Sequence, residues 1–412
     1  MKLLHLSLRK LFGLLDYDIP LDQNEITMLT GPNGYGKTMI LKIINSIISN
    51  ELNILCRLKF EVIKIEYQGG TVSIYHKSDS ELYLEHTDSD LEDIATEYLH
   101  LEEEDNLEKN TFFNWSLGDD KKNHLSLSEK KLRSIYLEDI TSEKHVSFIR
   151  ADRLQILKDE VTVIDSCAFK LKCLMEMAQD ESAALSQKLD ATFPIRLFER
   201  LEHQKRFFSN SIEMRLKGVQ DKRRLYMCYG LIQAEDELMP EKSTSLNSSN
   251  EYLGVLDLYI EDALGKLSPF ETLHKKIDLF ESIIKEKILA FKSIIIDKDN
   301  GFYFKSLSGD TIDRNMLSSG EQNQIVLLFN LIFDLVSQKI ILIDEPEISL
   351  HVAWQKTFLD SLKKIQKINQ YEKVIIATHS PQVISNNWAL TFDLFELIKK
   401  SNSKSYNSEG NE

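Results

Sequence analysis

Hydrophobic and polar positions alternate over Lys2–Leu8, the period of a half-buried strand, and Glu25–Leu29 runs apolar straight into a glycine-rich turn. Beyond the turn Ile40, Ile43, Ile44 and Ile47 recur at helical spacing, which predicts a helix over Met39–Ile48. Further strands are predicted at Phe60–Tyr67, Thr71–His76 and Glu81–His86, with Gly69-Gly70 and Lys77–Ser80 as turns, a layout that suits an antiparallel meander. His145–Ile149 reads as a return strand and Val161–Ile164 as another. From Cys167 to Phe291 the pattern turns helical, and Leu273, Ile277, Phe280, Ile284 and Phe291 form one apolar stripe. Pro240 and the Ser and Asn residues of Met239–Asn250 mark the best break between helices. Roughly the last 130 residues read strand, loop, helix, strand, helix, strand, helix, the order of a parallel sheet with crossover helices. Ser401–Glu412 is a polar tail.

Composition changes this picture at one segment. Asp88–Asp105 holds nine acidic residues and no Lys or Arg, so a solvated loop or loosely docked helix is expected; a strand-mimicking or partner-docking arm is the alternative. Over all 412 residues, 65 acidic against 50 basic side chains give a formal charge of −15. That excludes a surface coated throughout for nucleic acid and leaves a local basic face open. Four cysteines without CxxC spacing point to reduced, buried thiols rather than a disulfide scaffold. No apolar run approaches membrane-spanning length and the N-terminus lacks a signal-peptide layout, so a soluble, cytoplasmic protein with no membrane partner is expected.

Four segments carry chemistry. Gly31-Pro32-Asn33-Gly34-Tyr35-Gly36-Lys37-Thr38 fits GxxxxGK[ST] between a predicted strand and a predicted helix, the context a phosphate-binding loop needs. Its glycines let backbone N–H groups turn around an anion, Lys37 would reach the β- and γ-phosphates, and the Thr38 hydroxyl would ligate Mg²⁺. Lys339–Pro346 is a buried-strand pattern, Ile340–Ile343, ending in Asp344 and Glu345. At the carboxyl end of a parallel sheet Asp344 would hold Mg²⁺ through water and Glu345 would polarise the attacking water. Val374–Pro381 is another buried strand and ends at His379, either a capping histidine or a γ-phosphate sensor. Leu317-Ser318-Ser319-Gly320-Glu321-Gln322 precedes an amphipathic helix; it reads as an ordinary capping box or as a phosphate-donor surface.

In this order the four segments resemble the nucleotide-binding domain of ABC-type ATPases. The soluble branch is nearest in signature: the SMC and RecF repair ATPases, the OLD-family nucleases, and ATPase subunits of anti-phage systems such as Septu, retron-linked Septu and PARIS. The resemblance covers residues 1–50, 145–155 and 300–390. It implies an α/β P-loop ATPase head, with a mixed sheet, flanking helices and an antiparallel β subdomain, carrying an inserted, mainly helical lobe. The expected divisions are 1–87 (phosphate loop and β subdomain), 88–144 (acidic insertion), 145–166 (return strand and Q-loop-like segment), 167–292 (helical lobe), 293–400 (signature, Asp344-Glu345 and His379) and 401–412 (tail). It implies ATP and Mg²⁺ as cofactors and two copies packed head to tail, or a higher even-numbered assembly. Ser318, Ser319, Gly320 and Glu321 of one copy would then complete the site formed by Lys37, Asp344, Glu345 and His379 of the other. Ile348-Ser349-Leu350-His351 matches the position of the family's D-loop. The family's Q-loop glutamine is missing: Asp152 stands in as a Mg²⁺ contact, or Gln155 serves after a small shift.

Two antiparallel helices over Cys167–Phe291 would each be about 60 residues and roughly 90 Å long, and the Met239–Asn250 break favours shorter ones and a compact lobe over a long SMC-type arm. Within the lobe, Arg196–Arg224 holds nine Lys or Arg against four Asp or Glu, including Lys205, Arg206, Lys222, Arg223 and Arg224. These either contact nucleic-acid phosphates or a partner, or form a solvated, salt-bridged face. The favoured expectation is an ATP-dependent switch that controls a separate effector such as a nuclease in anti-phage defence. The 33 residues after His379 leave no room for a Toprim nuclease domain. A RecF-like repair ATPase that binds nucleic acid directly is the alternative. A transporter subunit is disfavoured by the long stretch between Lys37 and Ser318.

Overall fold

Strands buried on both faces read as continuous apolar runs, and three such runs form the middle of a parallel sheet. The computed structural model describes residues 2–49, 52–78, 81–88, 94–100, 113–117, 146–151, 162–202, 208–233, 250–287, 289, 291–334, 340–348 and 350–398. By packing, the chain divides into two units, Met1–Arg153 with Leu335–Glu412, and Leu154–Asp334.

The first unit contains a parallel sheet ordered β15 (Thr391–Asp393), β3 (Ile26–Thr30), β14 (Lys373–Ala377), β13 (Ile340–Asp344) and β9 (Val146–Ile149). Every residue of β3, β13 and β14 is buried. An antiparallel sheet runs β2 (Leu15–Pro20), β1 (Leu3–Leu11), β4 (Val62–Tyr67), β5 (Gly70–Ser78), β6 (Glu81–Asp88), β7 (Ile94–His100) and β8 (Phe113–Leu117). Helix α1 (Lys37–Ile48) joins the two layers, because its isoleucines cover one whole face. Ile40, Ile43, Ile44 and Ile47 share a core with Leu6, Leu8, Ile63 and Ile65 of the antiparallel sheet and with Leu342 and Ile375 of the parallel one. A short helix α2 (Asn53–Cys56) follows, and α7 (Val352–Asn369) and α8 (Pro381–Ile384) connect the later parallel strands.

The acidic stretch departs from the loop or helix expected of it. Ile94–His100 is a strand, paired antiparallel with β6 from Thr87↔Ile94 to Glu81↔His100. Its own alternation of Ile94, Thr96 and Tyr98 supplies β-forming residues every second position, and an existing sheet edge provides the pairing that composition alone does not reveal. Apart from β7 and β8, the rest of the 88–144 insertion lies outside the described residues.

The second unit is built on α3 (Val163–Glu202), α4 (Ser209–Cys228) and α5 (Asn250–Lys287). Val163 and Ile164, expected in a strand over Val161–Ile164, are helical instead, and Ile164 opens a helical stripe with Cys167, Ala168, Leu171 and Met175, all buried; Val161 lies outside the described residues. At 40 residues, α3 extends about 60 Å, well short of an SMC-type arm. The expected break at Met239–Asn250 lies outside the described residues except for Asn250, the first residue of α5. Pro269 inside α5 cannot donate to the carbonyl of Gly265, and the Ser268 hydroxyl donates there instead at 2.7 Å.

A small antiparallel sheet of β10 (Lys292–Asp297), β11 (Gly301–Ser306) and β12 (Thr311–Ile312), followed by α6 (Ser319–Phe329), groups with these helices. The division by packing therefore falls after Asp334, not at the expected 292. Aromatic packing explains it: Phe280 of α5 meets Phe302, Phe329 and Phe333 edge-on at 5.8, 6.0 and 5.4 Å. Gly301 has φ 68, and a Cβ there would lie 1.9 Å from the Ala168 carbonyl oxygen. Gly301→Ala is expected to destabilise the protein by at least about 2 kcal/mol, the sum of left-handed strain and forced movement of β11 off α3. Urea denaturation checks this; an unchanged midpoint would contradict the close approach. No helix among the described residues is long and apolar enough to cross a membrane.

Candidate active site

The carboxyl ends of neighbouring parallel strands are where an open α/β sheet presents ligand-facing loops. β3 ends into Gly31, β13 ends at Asp344, and β14 ends just before Thr378 and His379. The register sets Asp344 beside Ala377 and Ala377 beside Leu29. Two backbone bonds stitch these exits together, Thr378 N–H to Leu29 O at 3.1 Å and Glu345 N–H to Ala377 O at 2.9 Å.

The phosphate-loop segment is held from several sides. Gly36 caps α1 at φ 81, and a Cβ there would lie 3.3 Å from the Phe12 ring, so only glycine fits without strain. The buried Tyr17 hydroxyl donates to the Tyr35 carbonyl at 2.7 Å. Burial pushes Tyr17 well above the usual phenol range, which keeps it a donor. The Tyr35 ring meets Phe395 edge-on at 5.6 Å. Lys37, the first residue of α1, is 5% exposed. Its ammonium donates to Gly31 O at 2.8 Å and Pro32 O at 3.1 Å, and no carboxylate pairs with it among the described residues. A buried cation with only neutral acceptors, placed at a helix N-terminus, makes a concentrated positive site suited to a polyphosphate. Pro32, Asn33 and Gly34 form the exposed crest of the loop.

Next to it the Thr38 hydroxyl donates to Asp344 Oδ1 at 2.9 Å, although 306 residues separate them in sequence. One hydroxyl and one carboxylate in contact form a hard oxygen set that fits Mg²⁺. Glu345 follows in the left-handed conformation, φ 42, which costs a non-glycine residue about 1–2 kcal/mol. The bond from its N–H to Ala377 O holds that turn in place. His379 Nδ1 lies 4.0 Å from Glu345 Oε1 but 3.0 Å from Glu347 Oε1. Of the two carboxylates the ring lies nearer Glu347, at an ion-pair distance.

Glu347 is a residue of this candidate site that sequence patterns do not single out. It is 7% exposed, and its Oε1 accepts from the Thr378 hydroxyl and the His379 N–H, each at 2.8 Å. Its Oε2 is buried without a hydrogen-bond partner among the described residues, an arrangement that costs about 1–3 kcal/mol. The only hint in sequence is a third carboxylate two positions past Glu345. Gln355 ties the same turn down, donating to Leu350 O at 2.9 Å while its own oxygen accepts from the Ser380 hydroxyl at 2.7 Å.

In the other unit, Ser318 and Glu321 form the complete capping box at the start of α6. The Ser318 N–H and hydroxyl both donate to Glu321 Oε2, at 2.9 and 3.0 Å, and Lys292 Nζ reaches the same carboxylate at 2.8 and 2.9 Å. Burial alone would raise the Glu321 carboxyl; Lys292 and the Ser318 donors outweigh it and hold it below the usual range. Ser318 and Ser319 are exposed and Gly320 half-buried at this helix N-terminus.

Four of the nine basic side chains of this stretch pair with the lobe's own acids. Arg196 pairs with Asp262, Arg200 with Asp257 and Glu261, Arg215 with Asp257, and Lys222 with Glu271. Arg223 is half-buried and Arg224 exposed. Lys205, Arg206, Asp152 and Gln155 lie outside the described residues.

Among solved structures, the SMC head domain from Thermotoga maritima aligns over 93% of this chain and 91% of that one, at 10% identity and a TM-score of 0.35. The SmcHead bound to the C-winged helix domain of ScpA aligns over 93% and 92%, at 10% identity and 0.38. A Smc head domain with a coiled coil and joint derived from Pyrococcus yayanosii aligns over 93% and 93%, at 13% identity and 0.37. Superpositions this loose do not transfer residue roles. No curated protein matches the chain. The profile of the AAA ATPase domain family matches residues 1–384, a span that takes in the phosphate loop, Asp344, Glu345 and His379. The chain is a member of the AAA ATPase domain family, and ATP hydrolysis is its reaction.

Proposed function

We propose that the chain is an ATP-dependent switch in which two copies close head to tail around ATP, hydrolysis resets them, and the helical lobe engages a separate effector in anti-phage defence. The observation that carries the nucleotide part is Lys37: a buried ammonium held, among the described residues, by the Gly31 and Pro32 carbonyls, beside the Thr38–Asp344 contact. On this reading loop N–H groups and Lys37 grip the β- and γ-phosphates, and Thr38 and Asp344 hold Mg²⁺. The ion supplies charge neutralisation at the phosphate oxygens. Glu345 takes the proton of the attacking water, and His379 contacts the γ-phosphate. Ser318, Ser319 and Gly320, at the exposed start of α6, meet that phosphate from the second copy.

Exposed apolar side chains on the lobe, Phe169, Phe198, Phe208 and Met214, support a protein partner there. The ion pairs of Arg196, Arg200, Arg215 and Lys222 weigh against the RecF-like alternative, since paired guanidinium and ammonium groups are less available to phosphates.

Native mass spectrometry of Glu345→Gln, purified from its source cells with and without ATP and Mg²⁺, tests the proposal. The expected result is an ATP-dependent, even-numbered assembly that carries a second protein. A mass indifferent to ATP would overturn the shared-site reading, and recovery of nucleic acid instead of protein would favour the alternative.

A further inference from the structure

We infer that Arg314 is the positioning residue of the Ser318–Gly320 segment, with Asp165 of α3 as its anchor; this rests on the reading of that segment as the γ-phosphate contact of a second copy. A helix start that completes a site on another molecule must be held to within a fraction of an ångström. The capping box turns Ser318 and Glu321 toward each other, and the Ser319 and Gly320 N–H groups have no partner among the described residues. Such first-turn N–H groups are the ones a phosphate can use. Where they point depends on the chain that leads into them.

That chain, Asp313–Leu317, is fastened on three sides. It makes one 3-10 turn, Arg314–Met316, in which the Asp313 carboxylate accepts from the Asn315 N–H at 2.8 Å and Leu317 N–H donates to Arg314 O at 3.3 Å. From α6, Gln322 Nε2 donates to Leu317 O at 3.0 Å and Asn315 O at 3.3 Å. Toward the small sheet, Arg314 donates from Nε to Phe302 O at 2.8 Å and from Nη2 to Asn300 O at 3.1 Å. Its guanidinium also lies 5.9 Å from the centre of the Phe302 ring. Toward α3, Arg314 Nη1 donates to Asp165 Oδ1 at 2.9 Å and Asn315 Nδ2 to Asp165 Oδ2 at 3.2 Å.

Asp165 is itself held, because its Oδ2 accepts from the Thr162 hydroxyl at 2.7 Å at the start of α3. Burial alone would raise the Asp165 carboxyl; the Thr162, Asn315 and Arg314 donors outweigh it and hold it below the usual range. Arg314 therefore faces a carboxylate at neutral pH. One planar guanidinium joins β11, the turn before β11 and α3, a task that needs fixed donors in several directions. Ser318 follows four residues later, so little chain lies between them to absorb a displacement of Arg314.

The test mixes full-length variants, because a site shared between two copies can be rebuilt from two defective ones. Arg314→Ala is expected to keep its ATP Kd within about twofold, since the phosphate loop is untouched. Its kcat should fall roughly 10–100-fold, the cost of misplacing a group at the reacting centre by about an ångström. Mixed with Lys37→Ala, which retains an intact Ser318–Gly320 segment, it should regain activity well above either variant alone. Ser319→Asp is the reference for direct loss of the segment: a helix start tolerates the acid, and the new carboxylate repels the arriving phosphate. It should recover in the same way on mixing with Lys37→Ala.

Unchanged kcat in Arg314→Ala overturns the inference, as does a loss that persists in its mixture with Lys37→Ala while the Ser319→Asp mixture recovers. If neither mixture recovers, the shared-site reading fails and the inference falls with it. Should Arg314→Ala fold poorly, Arg314→Lys takes its place, keeping a charge opposite Asp165 without the reach to Phe302 O and Asn300 O. A smaller loss of kcat and the same recovery on mixing are expected; unchanged kcat in Arg314→Lys overturns the inference.

Discussion

Lys37→Ala will lose ATP affinity by roughly 10²–10⁴-fold. Charge-assisted hydrogen bonds contribute about 1.5–3 kcal/mol each, so contacts to two phosphates amount to roughly 3–6 kcal/mol. Two features of the structure support the upper part of that range. The ammonium is buried, which strengthens its interaction with an incoming anion. It is also already aimed into the loop by Gly31 O and Pro32 O, so little ordering remains to be done on binding. The fold should survive the change, because the lost partners are neutral carbonyls of an exposed loop. Isothermal titration with ATP, alongside circular dichroism, checks both statements. Undiminished affinity in a folded variant would remove Lys37 from the nucleotide site.

Glu345→Gln will bind ATP but turn it over about 10²–10⁴-fold more slowly, the loss expected for a general base and equivalent to roughly 3–5.5 kcal/mol of barrier. The binding half follows from geometry: the Thr38–Asp344 contact and the Lys37 cradle do not involve the Glu345 side chain. The catalytic half follows from the turn. Glu345 is held at φ 42 directly after a fully buried strand, a strained position stabilised by the bond from its N–H to Ala377 O. Glutamine tolerates that backbone no worse than glutamate, so a loss of turnover reports the carboxylate rather than the fold. Single-turnover phosphate release measures it, and unchanged turnover would take Glu345 out of the mechanism.

Much of this site is legible in the amino-acid order because its chemistry comes from contiguous segments. A loop that wraps phosphate with its own N–H groups must be one stretch of chain, and Gly31–Thr38, the proposed phosphate loop, is contiguous. Carboxylates at the end of a strand buried on both faces follow an uninterrupted apolar run, as Ile340–Ile343 shows before Asp344. Glu347 is different. Its identity as the partner of His379 depends on the turn after β13 folding back on the exit of β14, 31 residues away from Thr378 in sequence. Tyr17, 18 residues from Tyr35, and Phe395, 360 residues from it, support the phosphate-loop segment and leave no local pattern either.

The same contrast runs through the fold. Period-two alternation located β1 and β4 to β6, and helical spacing located α1, α5 and α6, since these periods record which side of an element is removed from water. The acidic stretch read as a loop because charge suppresses autonomous structure, whereas the edge of β6 supplies β7 with backbone partners from outside the segment. Ile164 read as a strand residue because a short apolar run carries no period of its own; the buried series through Met175 makes it helical. The boundary after Asp334 was likewise invisible, because it is drawn by Phe280 meeting Phe302, Phe329 and Phe333 across the unit. By itself, then, the sequence determined the ATPase family's motif segments and most element types, which reside in local spacing. The tertiary structure alone decided the backbone anchor of His379 on Glu347, the pairing of β7 with β6 and the division into units, because each is a contact between segments whose separation no local pattern encodes.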